Sequence, residues 1–270
     1  KDRIVKRLTS GIGSLMKSNG VDVLTGHASF INRKTLKIRS ADGDIDTLDT
    51  EKVILATGSD SVKPGFIPEA DNIYTSRPAL DMDALPDDML VLGGGVIGSE
   101  FACLYARLGV TVTLVEMLPE ILPTQDPETV KVVRKNMKDL GIEVHVESRL
   151  EDIASDGRTV TGKIADTTVS AAAMLVCVGR RPVTDGLNLD AVGIEVTDNG
   201  LIPVDSRCRT KAPGIYAIGD VCSPIQLAHY ASAQGVCAAE NAAGLDSTFD
   251  GSLVPSCIFT APEIGAVGMP

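Results

Sequence analysis

The sequence predicts an α/β fold with a parallel sheet, and three observations carry that reading. Apolar runs of strand length alternate with stretches whose apolar residues recur at helical spacing. A glycine-rich stretch, LVLGGGVIGSEF at 90–101, stands between one such strand and one such helix. An acid, Glu116, closes the strand that follows.

The elements follow in order. Ile4, Val5, Leu8, Ile12, Leu15 and Met16 mark an amphipathic helix stopped by Asn19-Gly20, with the basic residues of 1–7 on its wet face. Short alternating runs at 21–24, 35–38 and 44–48 predict strands, with Ala41-Asp42-Gly43 as a hairpin turn. Residues 52–56 read as a buried strand. Residues 60–88, rich in proline and acids, read as a crossing. A βαβ unit is expected next: strand 89–92, helix 96–108 and strand 111–116, with Gly109 capping the helix. Asp126-Pro127-Glu128 opens another helix, Asp126 as N-cap and Pro127 at N1. That helix ends at Leu140-Gly141 and leads to a strand near 143–146. Ser155-Asp156-Gly157 turns a hairpin. Strands are expected at 173–178 and 215–218, then a small-residue helix over 228–243. The runs 257–260 and 264–267 read as the start of a further sheet.

Bulk properties narrow the function. The formal net charge of −11 disfavours nucleic acid or an anionic membrane as partner. No apolar run approaches the roughly 18 residues of a membrane helix. The six cysteines form no C-x-x-C and no zinc-like cluster, and the closest two are 14 residues apart. They read as buried free thiols, which suits a reducing compartment such as the cytoplasm.

The glycine stretch carries the chemistry. In Gly93-x-Gly95-x-x-Gly98, the first glycine permits a tight turn and the second lets a pyrophosphate reach the backbone. The third lets helix and strand pack closely. Gly94, Val96, Ile97 and Ser99 complete a turn whose helix N-terminus offers free N–H groups to phosphates. Glu116, 18 residues after Gly98, is placed to bond the ribose hydroxyls of the adenosine half and to repel a 2′-phosphate. The pattern therefore predicts NAD(H) rather than NADP(H). Glu100, read as lying in the helix's first turn, has two open roles: complementing the helix dipole or sitting beside the nicotinamide ring.

One nicotinamide cofactor does not account for the remaining turns. GHASF at 26–30, ATGS at 56–59, VGRRP at 178–182, GIYAIGD at 214–220, LAHYASAQG at 227–235 and IFTAPEIGAVG at 258–268 occur in order along the chain. Together with the glycine turn they resemble the flavin-dependent pyridine nucleotide–disulfide oxidoreductases, nearest to the lipoamide-oxidising branch. The resemblance covers nearly all 270 residues. It implies a Rossmann-like NAD-binding domain, a parallel sheet plus a β-meander, inserted in a partial FAD-binding domain. The implied divisions are 1–85 and 209–245 for the FAD domain, 86–208 for the NAD domain, and 246–270 for the start of an interface domain.

The resemblance also implies site roles. Gly93 through Glu100, Glu116, Leu150 (by its backbone near the adenine) and Gly179 would contact NAD. Gly26 would approach the adenine side of FAD. Thr57, Gly58 and Ser59 would line the FAD cleft, and Asp220 would bind a ribitol hydroxyl. Gln226, Leu227, Ala228 and His229 would pass under the flavin, where the helix N-terminus favours the anionic reduced ring. On the residues alone, Asp220 also reads as a turn or capping acid, and His229 as a helix histidine whose imidazole has no chemistry. Arg180 and Arg181 read as solvated loop charges. No metal site is expected.

The family's first FAD turn and its redox pair spaced C-x-x-x-x-C are not in this sequence, and neither is the His–Glu pair of its interface domain. The sequence reads as a central segment with no catalytic residues of its own, expected to bind NAD(H) and to hold FAD weakly. Homodimers and the lipoyl domains of 2-oxo acid dehydrogenase or glycine cleavage complexes are the partners implied for the whole enzyme. Alternatives are an NADH oxidase or peroxidase, a coenzyme A-disulfide reductase or a transhydrogenase within the family, and a non-catalytic NAD-binding module outside it.

Overall fold

The computed structural model describes residues 1–43 and 45–268. Asp44, with which the strand expected at 44–48 would begin, and Met269-Pro270 at the end of the 246–270 division lie outside the described residues. In chain order the elements are α1 (Asp2–Ser18), β1 (His27–Asn32), β2 (Thr35–Arg39), β3 (Ile45–Asp49), β4 (Val53–Leu55), β5 (Ser59–Ser61), β6 (Ile73–Thr75) and α2 (Ser76–Ala79). Then come β7 (Asp88–Leu92), α3 (Val96–Arg107), β8 (Thr111–Val115), α4 (Pro127–Asp139) and β9 (Glu143–His145). The remainder are β10 (Leu150–Ser155), β11 (Val160–Ile164), β12 (Thr167–Ala171), β13 (Ala173–Val176), β14 (Arg180–Pro182), β15 (Ile215–Ala217), α5 (Ala228–Ala242), β16 (Ser256–Ile258) and β17 (Ile264–Ala266).

The expected α/β class is what the chain adopts. Five strands form an all-parallel sheet in the order β6-β13-β7-β8-β9. Side chains along β7 alternate between two cores, as the two-residue strand period requires. Met89 and Val91 pack with Phe101 and Tyr105 of α3 and Val133 and Met137 of α4. Leu90 faces the other way, onto Val160 and Ile164 of the antiparallel meander β10-β11-β12. Both faces are therefore covered, and β13 is buried at all four positions. Asp126 caps α4 as expected: its Oδ1 accepts from the N–H of Glu128 at 2.9 Å and of Thr129 at 3.2 Å, with Pro127 at N1.

A second core lies under the antiparallel meander β1-β2-β3. There Phe30, Leu55, Ile202, Ile215 and Val221 pack around the parallel pair β4-β15. The two regions are joined by a short antiparallel ribbon, β5 with β14, pairing Ser59 with Pro182 and Ser61 with Arg180. The whole five-stranded sheet and the β10-β12 meander lie between the two strands of that ribbon.

Several expectations need correction. Residues 21–24 form no strand and are exposed, because no neighbouring strand supplies their backbone partners. The strand expected over 173–178 ends at Val176, where the chain turns toward Gly179 (φ +125°). The crossing at 60–88 is not featureless: β6 lies within it and forms the edge of the parallel sheet. α1 forms as expected, but none of its residues is buried, and Ile4, Leu8 and Leu15 are each more than 60% exposed (61%, 63% and 61%). β16 and β17 form an antiparallel hairpin, and Ile258, Ala261 and Ile264 join the helix-side core.

Candidate functional site

The turn between β7 and α3 is shaped by side chains that are not there. A Cβ on Gly93 (φ +104°) would lie 2.4 Å from the carbonyl oxygen of Cys177. One on Gly98 would lie 1.9 Å from the carbonyl oxygen of Gly93, an impossible approach. Gly94 packs on Glu116 and Ile121. Gly95 differs from all three, because no atom lies within 4 Å of its missing Cβ. It is the N-cap of α3, and no side chain caps that helix end. The open side at Gly95 and the uncapped amides fit a dinucleotide pyrophosphate approaching the backbone. Ser99 is fully buried and donates its Oγ proton to the carbonyl of Gly94 at 3.0 Å.

Glu116 braces this turn. The residue is buried, 8% exposed. Oε2 accepts from the N–H of Gly94 at 2.5 Å and Oε1 from the N–H of Leu118 at 2.7 Å. Each oxygen keeps a further lone pair for a ribose hydroxyl. The turn opens onto a cleft of ≈ 1380 Å³, above the roughly 300–1,000 Å³ of ordinary small-molecule pockets. Gly93, Gly95, Val96, Ile97, Glu116, Leu150 and Gly179 line it, while Gly94, Gly98 and Ser99 support it from behind.

The first-turn dipole role expected of Glu100 is not what this geometry gives. α3 begins at Val96, so Glu100 is its fifth residue and the first turn holds no acid. Its Oε1 accepts the backbone N–H of Phe259 at 2.8 Å, which ties α3 to the segment between β16 and β17. Sequence reading had no signal for that contact, which spans 159 positions.

The flavin-type turns fall into two groups. Gln226 and Leu227 line the same large cleft, just before α5 begins at Ala228. Thr57, Gly58, Ser59 and Asp220 meet in a separate polar knot. Thr57 Oγ1 donates to the carbonyl of Val183 at 2.7 Å, and Ser59 Oγ donates to Asp220 Oδ2 at 2.6 Å. Gln234 Oε1 accepts from the N–H of Gly219 at 2.7 Å and holds the Asp220 turn in place. The His229 ring nitrogen Nε2 bonds the carbonyl of Pro255. Gly26 stands apart: its missing Cβ would lie 2.7 Å from the carbonyl of Arg39, so close packing against β2 already calls for glycine there.

Arg181 is the solvated charge expected, paired at the surface with Asp185. Arg180 is not. It is half-buried at the cleft, and its guanidinium donates to Ser59 Oγ at 2.8 Å and to the Ser59 carbonyl at 2.5 Å. Cys103, Cys208 and Cys237 are buried, Cys177 and Cys222 half-buried, and Cys257 exposed. Burial pushes the thiols of Cys177 and Cys208 up to about 12 and that of Cys222 to about 11. These three stay protonated at neutral pH, unlike a reactive nucleophile.

A glycine turn on a parallel sheet, a bracing acid and a long cleft define a nucleotide-binding oxidoreductase architecture, and the chain belongs to the pyridine nucleotide-disulphide oxidoreductase family, which it matches over residues 3–235. It is 41% identical, along its whole length, to the dihydrolipoyl dehydrogenase of Haloferax volcanii, of which it covers 58%. It is 36% identical to that of Bacillus subtilis, of which it covers 59%. LpdA from Mycobacterium tuberculosis superposes with a TM-score of 0.93 at 33% identity, over 99% of this chain and 60% of that one. The HOCl-induced flavoprotein disulfide reductase RclA from Escherichia coli superposes at 0.86 with 28% identity, over 99% of this chain and 63% of that one. The chain thus spans about three-fifths of the length of these relatives. Among the described residues, no helix is long and apolar enough to cross a membrane.

Proposed function

We propose that this chain binds NAD(H) in the cleft at the β7–α3 turn and serves the nicotinamide half-reaction of a dihydrolipoyl dehydrogenase. The observation that carries the reading is Gly95, open to the cleft at an uncapped helix end, beside an acid that fixes the turn. In this reading the α3 amides and Gly95 hold the pyrophosphate, and Glu116 accepts the adenosine ribose hydroxyls and disfavours a 2′-phosphate. Leu150 and Gly179 border the two ends of the dinucleotide, and Glu100 steadies α3 from the Phe259 side. FAD, when bound in the whole protein, supplies a two-electron carrier between a dithiol and the nicotinamide. Toward it this chain offers Thr57–Ser59, Asp220, Gln226–His229 and the backbone at Gly26. It has one G-x-G-x-x-G, already assigned to NAD, so its hold on FAD alone is weak.

The overall reaction is dihydrolipoamide plus NAD⁺ to lipoamide plus NADH and a proton. It needs a redox dithiol, and none of the six cysteines here has the C-x-x-x-x-C spacing. The proposal therefore assigns this segment nucleotide binding without lipoamide turnover. For the whole enzyme it assigns a homodimer working on lipoyl domains, in a compartment reducing enough to keep buried thiols free. The domain divisions at 85, 208 and 245 belong to the same proposal. The likeness to RclA keeps a second reading, another flavoprotein disulfide reductase of the family, in view.

Titration with NADH, followed by its fluorescence, tests the reading. Saturable binding is expected, weaker by about tenfold or more for NADPH. Absence of NADH binding, or a preference for NADPH, would overturn it. Measurable oxidation of dihydrolipoamide by the segment alone would contradict the division of labour.

A further inference from the structure

The cleft and the Asp220 turn are joined by one continuous series of polar contacts. Arg180 follows Gly179 at the cleft lip, on β14. Its Nε donates to Ser59 Oγ at 2.8 Å, its Nη2 to the Ser59 carbonyl at 2.5 Å, and its Nη1 reaches Ser61 Oγ at 3.5 Å. Ser59 Oγ passes its single proton on to Asp220 Oδ2 at 2.6 Å. The hydroxyl thus accepts from a cation and donates to an anion, and has no second proton to offer any other partner. A series polarised in one direction, charged at both ends, strengthens each of its members. The three segments it joins are far apart in sequence, 121 positions between Arg180 and Ser59 and 161 between Ser59 and Asp220. Thr57 and Gly58 add a second tie between the same strands, since Gly58 accepts from the N–H of Val183 at 2.9 Å.

We propose that Arg180 is a positioning residue that couples occupancy of the nucleotide cleft to the order of the Asp220 turn. A dinucleotide that orders Gly179 also orders β14, on which Arg180 sits. Arg180 then holds Ser59 more tightly, and Ser59 holds Asp220 at the orientation in which its other oxygen accepts a hydroxyl. By linkage, a hydroxyl ligand at Asp220 tightens nucleotide binding by the same factor. The coupling rests on the NAD(H) reading above, and its test separates the two.

Hydrogen exchange on the chain, with and without saturating NADH, reads both at once. The amides at 93–98 report the nucleotide. Those of Gly219, Cys222 and Ser223, which bond Gln234 Oε1 and the Gly219 carbonyl, report the far turn. NADH is expected to slow exchange at both, at the far turn by about fivefold or more, the low end of ordinary inter-site coupling. Arg180→Gln and Ser59→Ala should abolish the slowing at 219–223 and leave that at 93–98 intact. Arg180→Lys, which keeps the charge and a single point donor, should restore it in part. Protection at 93–98 without any at 219–223 in the native chain overturns the coupling alone. So does protection at 219–223 that survives Arg180→Gln or Ser59→Ala. No protection at 93–98 removes the nucleotide reading and the coupling together.

Discussion

The two regions proposed to face NAD(H) and flavin are built in opposite ways. On the nucleotide side, the glycine turn and its bracing acid lie within 24 consecutive positions, 93–116, with Leu150 and Gly179 added from farther along, and the shape of the turn comes from missing atoms. Gly93 and Gly98 bring backbone against backbone, and Glu116 bonds N–H groups of its own unit. On the flavin side, segments near 58, 180, 220 and 230 are drawn together by side-chain hydrogen bonds, with Ser59, Arg180, Asp220 and Gln234 as the ties. The first kind of site fails when something is added. The second weakens gradually as single ties are removed.

That contrast can be broken or sharpened by substitution. Gly98→Ala should be the most damaging change, because a Cβ 1.9 Å from the Gly93 carbonyl forces strand and helix apart. A loss of about 4 kcal/mol or more is expected in denaturant unfolding. Gly95→Ser is its control: with nothing within 4 Å, melting should barely move while NADH affinity falls at least about tenfold. If Gly95→Ser unfolds the chain instead, the two glycines do not have separate roles. Glu116→Ala removes the acceptor of two backbone N–H groups, one of them buried. It should cost about 2–3 kcal/mol together with nucleotide binding, measured by the same unfolding and titration experiments.

Next in size is an alkaline effect. Burial holds Cys177 and Cys208 protonated to about 12 and Cys222 to about 11, while a thiol in the unfolded chain ionises near its ordinary value of 9.0. Below pH 9 these thiols leave stability unchanged. As pH rises above 9 the unfolded state loses protons first, so stability falls by about 1.4 kcal/mol per pH unit for each such thiol. Chemical denaturation at pH 8, 9 and 10 checks the sign. At neutral pH a disulfide-exchange reagent should modify Cys257 quickly and leave Cys177, Cys208 and Cys222 untouched.

On the flavin side, Ser59→Ala should cost only about 1 kcal/mol in unfolding, with the fold intact. Arg181→Gln, which removes a surface pair, should change stability by less than about 0.5 kcal/mol. A Ser59→Ala loss as large as that of Gly98→Ala would erase the distinction between the two regions.

The same contrast explains what the sequence could and could not announce. The β7–α3–β8 unit and the Asp126 cap are local in the chain, so spacing and residue type suffice to place them. The glycine roles at 93, 95 and 98 likewise follow from one turn. β6 and β14 escaped notice because three residues carry no periodicity, and only a partner about 100 or more positions away makes them strands. Residues 21–24 show the reverse: alternation without a partner is not a strand. Arg180 reads as polar punctuation in VGRRP until Ser59 is brought beside it. Glu100 is legible as an acid on α3, whereas its bond to Phe259 depends on a segment folded back from the far end of the chain.

The ribbon of β5 and β14 has a consequence for modularity. Ser61 and Arg180 face each other across it, so the whole parallel sheet enters and leaves through neighbouring points. A short loop could join those two points, but Ile258, Ala261 and Ile264 complete the helix-side core from outside the enclosed stretch, so excision at the ribbon alone would strip that core of part of its cover. The two strands of the ribbon are thus one seam of residues 62–179, and the β16–β17 hairpin against α3 and α4 is the other.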